Sequence, residues 1–73
     1  MDTTTDLKGL RAGLGLTQAE LASALGVSQG ALAAWEAGLA WPTIDRLPAV
    51  ADAYGISIST LVFLLIAARD ARR

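Results

Sequence analysis

At 73 residues the chain has room for one small domain, and folding at that length removes only about 60% of the unfolded chain's surface from water, so an apolar fraction of 53% leaves apolar surface to spare. With no Cys and no His there is no disulfide, thiolate zinc site, imidazole base or histidine-activated nucleophile, and Asp2, Asp6, Glu20, Glu36, Asp45, Asp52 and Asp70 are scattered as caps and solvated charges, so no enzyme, metal or cofactor is expected. The formal net charge of -1 also withholds the basic footprint usual in nucleic-acid binding.

Residues 1–5 are polar and aperiodic and read as a flexible arm, with residues 6–73 as a single domain. Thr4 or Thr5 is the expected cap of a first helix running to about Leu14, with Leu7, Leu10 and Leu14 as its buried face. Gly13 and Gly15 then turn the chain.

Thr17 opens a second helix with a capping box, its hydroxyl accepting from the Glu20 N–H while the Glu20 carboxylate returns to the Thr17 N–H. Leu21 and Leu25 face the core, Ala22 lets another helix cross closely, and Gly26 suits a left-handed helix end. After the three-residue turn 26–28, Ser28 caps a third helix that buries Leu32 and Trp35 and closes at Gly38.

Trp41 and Pro42 break the chain, and Thr43 is the expected cap of a fourth helix carrying Ile44, Leu47, Val50, Ala51 and Tyr54. Pro48 lacks an N–H, which orphans the Ile44 carbonyl and predicts a late start or a distorted first turn. Tyr54 reads as core with its hydroxyl at the rim. Trp41 has two readings, a cover for the core edge or an exposed anchor for a partner chain.

Ser57 caps a fifth, extended apolar helix, in which Ile58, Leu61 and Leu65 share one face while Val62, Phe63 and Ile66 point elsewhere. One small domain does not bury both faces, so the helix over 58–72 is predicted to seal a homodimer through Val62, Phe63 and Ile66, the alternative being that it folds back on its own core. Arg69, Arg72 and Arg73 suit a helix C-terminus. The apolar run 61–68 is shorter than the roughly 20 residues of a membrane helix and sits at the wrong end for a secretory signal, so a cytoplasmic protein without a membrane partner is expected.

Two short helices held by almost no connecting chain, with Ala22, Gly26, Leu32 and Trp35 in register, make a helix-turn-helix. Here the chain resembles the phage-repressor and Cro-like (XRE) family over residues 7–62: LRAGLGLTQAELASALGVS, then WEAG, then a Pro-led helix ending in Tyr54, Gly55, Ile56 and Ser57. The resemblance implies an all-α, five-helix, lambda-repressor-like domain, dimeric, that binds double-stranded operator DNA and regulates transcription. It assigns base contacts to Ser28, Gln29, Gly30 and Ala34 and phosphate contacts to Thr17 and Gln18, and it puts Arg46 near where relatives contact the backbone, with Lys8 as a further available cation for phosphate. It also pairs Arg11 with Glu36 as a buried structural ion pair.

Where the family carries basic residues after its third helix, this chain has Leu39, Ala40 and Trp41, and no Lys or Arg occurs in residues 17–42. Two functions therefore stand side by side. One is a small repressor of phage, mobile-element or antitoxin type, and the other is a protein-interaction module whose partner meets Trp41 or the third-helix surface.

Overall fold

The fold is set by local signals that start and stop each helix, as seen in a computed structural model that describes residues 6–71. Helix α1 (Leu7–Gly13) is capped by Asp6, whose Oδ1 accepts from the Gly9 N–H at 2.7 Å. Asp6 thus takes the role expected of Thr4 or Thr5, which lie outside the described residues along with the rest of the arm and with Arg72 and Arg73. The inward pair on α1 is Leu7 and Arg11, one turn apart, while Leu10 is half-buried and Leu14 exposed, contrary to the expected leucine face. Leu14 falls just past the helix, where the chain is already turning away.

Helices α2 (Gln18–Leu25) and α3 (Gln29–Ala37) form the helix-turn-helix. Both halves of the Thr17–Glu20 capping box are present, and the left-handed Gly26 (φ 72°) lets the Val27 N–H close on the Ala22 carbonyl at 3.0 Å. Ala22 is buried, which permits the close crossing of the two helices.

Thr43 makes no side-chain cap; the segment Ile44–Arg46 is a 3-10 turn leading into α4 (Leu47–Tyr54), with Pro48 in its first turn. The tighter turn answers the proline: the Leu47 N–H bonds the Ile44 carbonyl, so that acceptor is not orphaned. Ile44 itself projects outward at 85% exposure and is no part of the core.

Helix α5 (Ile58–Ala71) starts at Ser57, whose Oγ accepts from the Thr60 N–H at 3.1 Å. Its inward stripe is Leu61, Leu64 and Leu65, not Ile58, Leu61 and Leu65, because α5 packs against α4 on one side and α3 on the other. Ile58 is left on the lip at 45% exposure, and Val62 is half-buried rather than outward. The helix therefore does fold over its own core, yet Phe63 and Ile66 remain exposed.

Leu7, Leu21, Ala22, Leu32, Trp35, Val50, Ala51, Tyr54 and the three α5 leucines make one core shared by all five helices. No single helix among the described residues is long and apolar enough to cross a membrane.

Candidate nucleic-acid interface

The motif turns the N-terminus of α3 outward. Ser28 caps it by accepting from the Ala31 N–H at 3.0 Å, and Ser28, Gln29 and Gly30 are exposed together on the first turn. Ala34, one turn further, is half-buried, so its methyl offers the least accessible of the four expected base contacts. Gln29 is the one long polar side chain in this group, with an amide able to pair in bidentate fashion with adenine.

The N-terminus of α2 supplies the other expected contact groups. Thr17 is exposed, and its N–H donates to Glu20 Oε1 at 2.8 Å while its Oγ1 accepts from the Glu20 N–H at 3.1 Å. Gln18 differs from the simple phosphate-gripping residue that the sequence suggests. It is half-buried, and its Nε2 donates to Glu36 Oε1 at 3.0 Å. Lys8 and Arg46 are exposed on α1 and on the 3-10 turn before α4.

Behind the outward face lies a buried polar cluster built on Glu36. Arg11 donates to it in a fork, Nε to Oε2 at 2.9 Å and Nη2 to Oε1 at 3.1 Å, while Arg11 Nη1 holds the Leu16 carbonyl at 2.9 Å. Tyr54 donates its hydroxyl to Oε2 at 2.6 Å, so that hydroxyl is inside the cluster and not at the rim. One carboxylate on α3 thereby ties together α1, the start of α2 and α4, with 4% of its side chain exposed. No buried side-chain N or O among the described residues lacks a partner.

Burial alone would push the Glu36 carboxyl up, but hydrogen bonds from Arg11, Tyr54 and Gln18, with the Arg11 charge, outweigh it and hold the carboxyl below its ordinary value. Arg11 is raised in turn by its hydrogen bond to Glu36. Burial, and then the hydrogen bond to Glu36, drives the Tyr54 phenol far up.

Sequence reasoning identified the Arg11–Glu36 positions but not Gln18 or Tyr54 as their companions. A signal existed for Tyr54, since a core phenol needs an acceptor and a carboxylate has more lone pairs than one Arg fills. None existed for Gln18, a polar side chain at a helix start that water could satisfy equally well.

At the far end of α3, Trp41 is 38% exposed and carries the Arg69 guanidinium over its ring at 5.6 Å from the centroid. Arg69 thus does more than complement a helix end. Leu39 (62% exposed) and Ile44 are the other exposed large apolar side chains of this stretch of chain.

A family model described as helix-turn-helix matches residues 7–61. The chain is similar to the HTH-type transcriptional activator BcrR of Enterococcus faecalis, at 34% identity over 62 residues, which is 85% of this chain and 30% of that relative. The chain thus spans under a third of the curated relative it matches. No solved structure matches.

Proposed function

We propose, from the premise that the chain belongs to the helix-turn-helix family over residues 7–61, that it is a sequence-specific DNA-binding regulator of transcription acting as a dimer on a two-fold operator. The observation that carries this reading is the exposed first turn of α3, with Ser28, Gln29 and Gly30 outward, together with the exposed, capped start of α2 in the same motif. The domain measures 31 × 25 × 22 Å, less than the ~34–36 Å of one helical turn of DNA, so one copy suits one half-site and two copies suit half-sites a turn apart.

Promoter occlusion by a bound dimer asks nothing of the domain beyond operator binding, which favours a repressor of phage, mobile-element or antitoxin type. The relative from Enterococcus faecalis is described as an activator, and a transcription assay on the selected operator decides the direction.

Selection of bound duplexes from a random pool at low salt tests the reading, with a two-fold winner expected. Lys8 and Arg46 from two copies give about four phosphate contacts and a slope near -3.6 in log affinity against log salt. Gln29→Ala should weaken that binding by about 5- to 150-fold for each half-site, the equivalent of one bidentate pair at ~1–3 kcal/mol, with the melting temperature unchanged. Undiminished binding would remove Gln29 from the reading surface.

The dimer is proposed to form through the outward side of α5, where Phe63 is 68% and Ile66 37% exposed and Val62 contributes its half-buried edge. Phe63→Asp with Ile66→Asp should give monomers that stay folded, because neither side chain belongs to the core. Sedimentation at micromolar concentration checks this, and an intact dimer would refute the interface.

A second reading has its own observation. Leu39, Trp41 and Ile44 are large apolar side chains left exposed within six residues of one another, and residues 17–42 carry no Lys or Arg, which suits a protein partner. Failure of the folded dimer to enrich any duplex would favour it.

A further inference from the structure

We infer that Glu20 sets the ceiling on DNA affinity, because its carboxylate is the one uncompensated charge on the helix-turn-helix and already occupies the start of α2 at which an operator phosphate would arrive. The inference rests on the DNA-binding reading and adds to it a residue that weakens the contact.

Residues 17–42 hold two charged side chains, Glu20 and Glu36. Glu36 is neutralised at contact distance by Arg11 and is almost wholly enclosed. Glu20 has no cation within ion-pair distance among the described residues and is exposed. Its Oε1 takes the Thr17 N–H at 2.8 Å, and its own N–H is taken by Thr17 Oγ1 at 3.1 Å.

The neighbouring donors are also engaged. One amide N–H of Gln18 is committed to Glu36, so the phosphate-facing end of α2 retains backbone N–H groups and the Thr17 hydroxyl, with a fixed negative charge among them. That carboxylate stabilises the helix in the free protein, since an anion at a helix start complements its dipole. In the complex the same anion repels the phosphate that the dipole would otherwise attract. The fold and the DNA contact therefore make opposite demands on this side chain.

Glu20→Gln separates the two. Glutamine can make the same return hydrogen bond in a capping box, so the helix start is kept while the charge is lost. At about 7 Å in a watery interface, one like-charge repulsion amounts to roughly a threefold change in affinity for each half-site, or about tenfold for a dimer. The gain should be equal on specific and non-specific duplexes, because a phosphate contact carries no sequence information, and it should shrink as added salt shortens the screening length.

The experiment measures binding of the intact protein, wild type and Glu20→Gln, to the selected duplex and to a scrambled one from low to moderate salt. Asp52→Asn on α4 serves as a control for net charge alone, since Asp52 is exposed and outside the motif. A gain of about tenfold at low salt, equal on both duplexes, smaller for Asp52→Asn and with the melting temperature preserved, is the expected result. Wild-type binding with no gain in Glu20→Gln, or with an equal gain in Asp52→Asn, overturns the inference and leaves DNA binding intact. Absence of binding by both proteins, shown to be folded and dimeric, overturns the inference together with the reading on which it rests.

Discussion

Gly38→Ala should destabilise the domain by about 2–5 kcal/mol, a sum of a left-handed backbone cost and overpacking, whereas Gly26→Ala should cost only about 1 kcal/mol. The two glycines have nearly the same backbone, φ 79° and 72°, and each closes a helix of the motif. They differ in what surrounds them. A Cβ on Gly26 would meet nothing within 4 Å, while one on Gly38 would stand 2.5 Å from the Ala68 carbonyl carbon and 2.8 Å from the Arg69 nitrogen, and closer still to the Ala68 oxygen. These are backbone atoms of α5 and do not rotate away. Because a domain of this size has a total stability of about 4–11 kcal/mol, the Gly38 variant should show a markedly lower urea midpoint, and equal midpoints for the two variants would show that α5 yields at no cost.

Glu36→Ala should cost about 3–5 kcal/mol, since it strands a buried arginine and removes the acceptor shared by Gln18 and Tyr54. Glu36→Gln retains much of the shape, and it separates charge from packing through pH. In the folded protein the Glu36 carboxyl lies below its ordinary value, so the unfolded chain binds this proton more readily. The resulting stability is fully present above the unfolded value of about 4.3 and is lost as pH falls through the folded value. Wild type should accordingly lose stability on acidification below about pH 5, and Glu36→Gln should begin less stable with a shallower acid decline. Parallel curves measured by thermal unfolding from pH 7 to 3 would show that Glu36 is not the titrating group.

These two sites, both at the C-terminal end of α3, tie that helix to its surroundings on different sides. Glu36 anchors α3 to α1, α2 and α4 from within, and Gly38 admits the α5 backbone against its C-terminal end. Residues beyond the matched stretch 7–61 thus contribute to the seating of α3, because Leu64, Leu65, Ala68 and Arg69 all come after it. Loss of DNA binding in a variant of Arg11, Glu36 or Gly38 would report a displaced or unfolded helix rather than a missing contact.

The sequence by itself determined the order and punctuation of the helices. Thr17 with Glu20, Gly26, Ser28, Gly38 and Gly55 act through hydrogen bonds and dihedral angles within about five residues, so their signals sit next to what they control. Pro48 announced an irregular start to α4 for the same reason, although the 3-10 turn that satisfies the Ile44 carbonyl was not foreseen. The inward residues Leu21, Leu32, Trp35, Val50, Ala51 and Tyr54 were legible as well, whereas the tertiary structure alone decided which side of α1 and of α5 turns inward. A period of 3.6 leaves neighbouring apolar stripes nearly equivalent in a helix as uniformly apolar as α5, and only the position of α3 and α4 selects Leu64 over Ile58. The same holds for Gln18 and Tyr54 on Glu36, and for Arg69 on Trp41, where contact depends on helices distant in sequence arriving side by side.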